Sequence, residues 1–237
     1  WPYNLSLSFK HYQFDMMDGG GWASYGNSLA MAAATAVVGS LLSFLSAYLV
    51  AKPTGWARAR QWLHGVATLP MAVPGLALGL GYILFFNAGS NPLHFLYGSL
   101  GILALCSVAH FFSVAHITQL TALQQLDAEY ERVADSMGVP FWTLLWRVHL
   151  PVCLPAVMQV AGYFFVNAMT TVSAVVFLYA PETSLASVAV LAMDDAGDIA
   201  PAAAMATLIF ATATAGRLLI ALLDAWLQRR TQHWRQR

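Results

Sequence analysis

The chain has 237 residues, 59% of them hydrophobic and only 9% charged, against roughly 25% charged in an average soluble domain. So little charge cannot cover a water-facing surface, which excludes an ordinary soluble globular protein and points to an all-α polytopic bundle in a lipid bilayer. The formal net charge is zero, so no basic field calls for nucleic acid.

The first 26 residues carry neither a basic start nor an apolar run and are no signal peptide. They read as an external N-terminal segment, and because residue 1 is Trp the chain is expected to begin partway through a longer protein. A membrane domain follows over 27–228, with spans predicted at 28–51, 64–86, 99–123, 151–179 and 201–227. The first four fall in charge-free runs, such as Ser28–Ala51 or Val148–Pro181, and the fifth begins in one, Ile199–Gly216. The long run between Arg60 and Asp127 has room for two spans, divided at Asn87-Ala-Gly-Ser-Asn-Pro-Leu-His94.

In the second span Pro70 and Pro74 remove backbone hydrogen bonds and predict a kink. Gly75 and Gly79 form a small-xxx-small pair that predicts close approach of another helix. The third span carries His110 and His116, six residues apart on different faces, which read as packing histidines rather than haem ligands. Cys106 and Cys153 lie in apolar surroundings and read as inert thiols, with no disulfide, metal or cofactor site.

Between the third and fourth spans, Leu126, Tyr130, Val133, Ala134 and Met137 recur at helical spacing, with Glu129, Glu131, Arg132 and Asp135 mostly off that stripe. Asp127 suits the helix start, Gly138 the left-handed stop and Pro140 the exit. The loop 126–150 should therefore hold a short acidic amphipathic helix, which favours a protein partner over anionic lipid.

On the fourth span Asn167, Thr170, Thr171 and Ala174 fall at i, i+3, i+4 and i+7, a polar face predicted to line a pathway. The outer loop from Glu182 to Asp198 carries four acids and no base, and its Asp194–Asp198 run reads as a capped turn. Arg217 and Asp224 sit toward one end of the fifth span, where Arg217 can snorkel or pair. Lys52, Arg58, Arg60, Arg132, Arg147, Arg229, Arg230, Arg235 and Arg237 lie on one side of the bundle and only Lys10 on the other. The positive-inside rule makes the first side cytoplasmic, with 229–237 as a basic cytoplasmic tail.

Glu131-Arg-Val-Ala-Asp-Ser-Met-Gly138, nine residues, then Val148-His-Leu-Pro151 resembles the EAA loop of binding-protein-dependent, MetI-like ABC importer permeases. Ala134, Gly138, Leu150 and Pro151 match in register, and Val148 stands for Ile. Arg132 and Val133 depart from the Glu and first Ala of that motif, with Glu131 supplying an acid one residue early. Asn27-Ser-Leu and Leu69-Pro-Met-Ala-Val-Pro-Gly75 are similar to the same family's first- and second-span patterns. Tyr3-Asn-Leu-Ser-Leu-Ser-Phe-Lys-His-Tyr12, Met169–Tyr179 and Met193–Asp198 are similar to 2-aminoethylphosphonate importer permeases, taken as double-length chains related to iron(III) importer permeases, of which this would be the C-terminal half.

The resemblance implies an inner-membrane permease whose coupling residues are Glu129, Glu131, Val133, Ala134, Gly138, Leu150 and Pro151. Its implied partners are an ATP-binding cassette ATPase dimer, a second permease half and an external substrate-binding protein. The chain has no Gly-x4-Gly-Lys-Ser/Thr loop, since its only lysines are Lys10 and Lys52, so it is not expected to hydrolyse ATP. The alternative, a secondary transporter or channel working without an ATPase, would carry coupling acids at the midplane, and none is present.

Overall fold

The computed structural model describes residues 9–14, 21–52 and 55–231, with side chains through 227. Residues 3–8, Arg235 and Arg237, and the side chains of Arg229 and Arg230, which entered the sequence reading, lie outside what is described. The described residues are helical, with no strand.

Helix α1 spans Gly21–Ala51, starting a turn and more before the predicted Ser28. Asn27 and Ser28 therefore lie inside it. Asn27 Nδ2 donates to the carbonyls of Glu182 and Ser184 at 2.9 and 3.0 Å, and Ser28 Oγ accepts from the Ala186 N–H at 2.8 Å. These bonds seat the chain from Glu182 to Ala186 against α1.

The expected kinked span is two helices, α2 over Ala57–Thr68 and α3 over Gly75–Phe86, joined by a 3-10 turn at Leu69–Ala72 and bent by 109°. Pro74 forces Val73 into an extended backbone and lacks an N–H, so the ladder stops rather than bends. Ser113 on α4 (Leu100–Gln124) repairs the break. Its Oγ accepts from the Met71 N–H at 3.1 Å and donates to the Ala67 carbonyl at 3.0 Å. Backbone groups freed at membrane depth need such partners.

A short helix α5 covers Glu129–Ser136, and α6 (Phe141–Leu144) runs through a π turn at Leu145–His149 into α7, Leu150–Thr170. The fourth span thus ends nine residues before the predicted Tyr179. Residues 171–180 are irregular, tolerable at depth only when covered by protein. Ala174 and Val175 are fully buried. Cys106 Sγ bonds the Ala174 carbonyl at 3.3 Å and Ser187 Oγ the Thr171 carbonyl at 2.7 Å. The predicted outer loop contains α8, Ala186–Asp195, whose Ala186, Val188, Ala189 and Met193 enter the core. Ten residues reach only about 15 Å, too short to cross a bilayer. Helix α9 runs Ile199–Thr231.

Among the described residues four helices, or five spans if the bent pair is one, are long and apolar enough to cross a membrane. Helix α1 packs on α4 and α7, and α7 on α9. The core is layered. One end is filled by Phe14, Met31, Phe86, Ile102, Leu178 and Met193, the middle by Ala36, Ala115, Val160 and Phe164, and the α5 end by Phe44, Tyr48, Leu123, Leu145 and Val157.

Candidate functional site: the α5 loop and the polar faces

Helix α5 starts where Asp127 Oδ1 accepts the Glu129 N–H at 2.9 Å, satisfying one of the donors orphaned at a helix start. It stops at Gly138, whose φ of +65° suits a residue without a Cβ. Only half of its apolar stripe is covered. Ala134 is 5% exposed, whereas Val133 and Met137 are 55% and 72% exposed. They border a groove of about 620 Å³ with Tyr130, Leu144 and Val148. Trp142 and Trp146 are also exposed. Among the other motif residues, Glu129, Gly138 and Pro151 face outward and Leu150 is half-buried.

Glu131 turns inward. Its carboxylate lies 2.7 Å from Lys52 Nζ at the end of α1 and 3.4 Å from His149 Nε2 in the π turn. His149 is fully buried and its Nδ1 lies 3.0 Å from the Tyr48 hydroxyl. Desolvation pushes the Glu131 carboxyl up, but the Lys52 hydrogen bond and the Lys52 and His149 charges outweigh it and hold the group below its ordinary value. Sequence reasoning missed this cluster, because nothing in the spacing of residues 48, 52, 131 and 149 brings them together. The one legible hint is Glu131 itself, an acid beside rather than at the motif position.

The predicted pathway face is split. Asn167 Nδ2 donates to the Tyr163 carbonyl at 2.8 Å, and Thr170 Oγ1 to Val166 at 3.1 Å, both within α7. Thr171 lies beyond the helix end in extended backbone and is 7% exposed, so it does not share their face. Thr170 lines a second groove of about 620 Å³ between α7, α8 and α9, with Val166, Phe210 and Arg217. Arg217 lies over Gly162, its Nη1 3.5 Å from the Gln159 carbonyl.

Gly75 and Gly79 do permit a close approach, but by the irregular segment rather than by a helix. A Cβ at Gly75 would stand 2.5 Å from Ser173 Oγ, and one at Gly79 2.7 Å from the Ala174 carbonyl oxygen. Of the two histidines on α4, His116 is joined to its neighbours, whereas His110 Nδ1 is buried without a hydrogen bond. His116 Nδ1 lies 2.8 Å from Ser46 Oγ and its Nε2 3.1 Å from His64 Nδ1, linking α1, α4 and α2.

Residues 39–230 match the family model described as "Binding-protein-dependent transport system inner membrane component". A protein of Salmonella typhimurium named as a 2-aminoethylphosphonate transport system permease, PhnV, is 30% identical over 198 residues, 78% of this chain and 72% of that protein. A protein of Haemophilus influenzae named as a ferric transport system permease, FbpB, is 31% identical over 186 residues, 77% of this chain but 29% of that protein. The phosphonate relative is therefore not the double-length chain expected from the sequence, since this chain covers 72% of it; of the two, only the ferric relative is much longer than this chain. A crystal structure of a bacterial alginate ABC transporter in complex with an alginate pentasaccharide-bound periplasmic protein includes a chain of the same fold. Its TM-score is 0.74 at 16% identity, over 94% of this chain and 83% of that one. The chain belongs to the family of binding-protein-dependent transport system inner membrane components.

Proposed function

We propose that the chain is one permease half of an ATP-driven importer of the bacterial inner membrane, with α5 as the cytoplasmic lever gripped by a separate ATP-binding cassette ATPase dimer. The observation that carries this reading is the apolar edge left open on α5 and the π turn. Val133, Met137, Trp142 and Trp146 are all more than half exposed, the first two on the loop between the third and fourth spans beside a groove and the two tryptophans at the start of the fourth apolar stretch, Phe141–Thr170. An exposed apolar patch rimmed by charge marks an interaction site. The acids Asp127, Glu129 and Asp135 disfavour anionic lipid there and favour a protein partner.

A single α5 fills one groove of a symmetric ATPase dimer, so a second permease half completes the transporter. An external binding protein supplies the solute and its selectivity, in keeping with the family description. The solute is small and polar. Of the two named for the relatives we favour 2-aminoethylphosphonate, because the chain spans most of the phosphonate relative and a minor part of the ferric one.

Co-purification with the ATPase subunit of its own transport system tests the reading. A Cβ at Gly138 meets nothing within 4 Å, so bulk added there projects toward a partner. Gly138→Asn tolerates the positive φ and keeps the association; Gly138→Trp loses it. Retention by Gly138→Trp, or a wild-type chain that binds no ATPase, removes the lever assignment. Uptake of 2-aminoethylphosphonate against ferric iron by the whole system decides the solute.

A further inference from the structure

We propose that Glu131 is a positioning residue, the pin of an internal clasp, and not a contact for the ATPase. Through it α5, the end of α1 and the start of α7 move as one body. The inference rests on the lever reading above and deepens it.

The geometry comes from three elements. Lys52 and Tyr48 come from the end of α1, Glu131 from α5, and His149 from the π turn that opens α7. The Lys52 and Glu131 side chains are 10% and 24% exposed, so this is a sheltered ion pair rather than a mobile surface one, and it holds its geometry better. His149 Nε2 lies 3.4 Å from the carboxylate, close to it but not hydrogen-bonded, while its Nδ1 lies within hydrogen-bond distance of the Tyr48 hydroxyl at 3.0 Å. Phe141 packs against Tyr48 with tilted rings 5.0 Å apart, and Tyr130 meets the His149 ring edge-on at 6.4 Å. Asp135 faces the same small cavity of about 110 Å³.

Mechanical consequence follows from what else holds α5. Its outer edge is open, with Val133 and Met137 exposed, and the turns on either side, at 125–128 and 137–140, are not helical. A push on that edge would swing α5 about these turns unless something inside resists. Ala134 supplies packing, and Glu131 supplies the ion pair to Lys52 and the close contact with His149. The π turn is the third anchor. Such turns lack the regular i→i−4 ladder and mark places where a helix yields, so a tie at His149 delivers the displacement into α7 instead of letting the turn absorb it.

The test uses the whole chain assembled with its ATPase subunit in lipid vesicles. Spin labels are placed at Leu49 on α1 and Ser136 on α5, both exposed; Cys106 and Cys153 are buried and stay in place. In the wild type the Leu49–Ser136 distance is the same without nucleotide and after trapping with ATP and vanadate. In Glu131→Gln the trapped state leaves that distance, and the population keeping it falls about fivefold. The exchanged pair, Lys52→Glu with Glu131→Lys, returns it and covers the case in which Glu131→Gln folds poorly. An unchanged distance in Glu131→Gln with ATPase bound overturns the clasp, as does an exchanged pair that folds yet moves apart. Loss of ATPase from Glu131→Gln alone makes Glu131 a direct contact, overturning the clasp and keeping the importer. A wild-type chain that binds no ATPase overturns both.

Discussion

At the scale of single residues, two glycines on α3 separate close packing from mere flexibility. A Cβ at Gly79 would stand 2.7 Å from the Ala174 carbonyl oxygen, whereas one at Gly81 meets nothing within 4 Å. Gly79→Ala overpacks a rigid backbone contact and should cost about 1–3 kcal/mol. Gly81→Ala only removes backbone freedom in a helix interior and should stabilise by about 0.5–1 kcal/mol. Opposite shifts of the thermal midpoint in detergent are the expected result. Glu131 gives a pH-dependent counterpart. Its carboxyl is held below the ordinary 4.5, so its contribution is fully present above that pH and is lost as pH falls through the depressed folded value. Removing one partner of a sheltered pair leaves the other uncompensated and costs about 1–3 kcal/mol. The stability gap between wild type and Glu131→Gln is therefore constant near neutrality and closes below about pH 4.5, measured as unfolding midpoints across an acid series.

At the scale of elements, the end of α7 decides which polar groups can meet water. Thr170 is exposed and borders the α7–α9 groove, while Thr171 is 7% exposed behind α8. We expect Thr170→Cys to react with a water-soluble thiol reagent and Thr171→Cys to stay inert; inertness at both positions removes α7 from the pathway. The sequence pattern made these two residues neighbours on one face because Met169–Tyr179 is apolar and continuous, with no Gly or Pro to mark a stop. What ends the helix is tertiary. Segment 171–180 is drawn onto Gly75 and Gly79, and its backbone is satisfied by Cys106 and Ser187. Partners so distant in sequence leave no local signal. The same holds for α8, whose apolar residues were legible but whose burial was not. By contrast, the start and stop of α5 were legible, because Asp127 and Gly138 act within a residue or two of themselves. The break before α3 was half legible. Pro74 marked the place, but the 109° angle depends on Ser113 taking up the freed groups from another helix.

At the scale of the whole molecule, the spans are unequally covered from within. About half of α1 and of α4 is buried in their most apolar windows, against 11% for α9. A helix so bare, with Phe210 72% and Leu222 69% exposed, completes its environment with lipid or with a second permease half. Either works in a bilayer, where apolar side chains gain nothing by avoiding lipid tails. Orientation is the stricter constraint, since a lever works only on the side where ATP is. The bases Lys52, Arg58, Arg60, Arg132 and Arg147 lie in the segments flanking α5 and the start of α2, and such a bias predicts the cytoplasm for that end. Two exposed positions read it directly: Met137 at the α5 end, 72% exposed, and Phe95 in the loop between α3 and α4, 74% exposed. With Cys106 and Cys153 buried, a membrane-impermeant thiol reagent on intact cells should label Phe95→Cys at once. It should reach Met137→Cys only after the membrane is opened. The reverse pattern would put the open apolar edge of α5 outside, away from any ATPase, and would remove the lever proposed for the α5 loop.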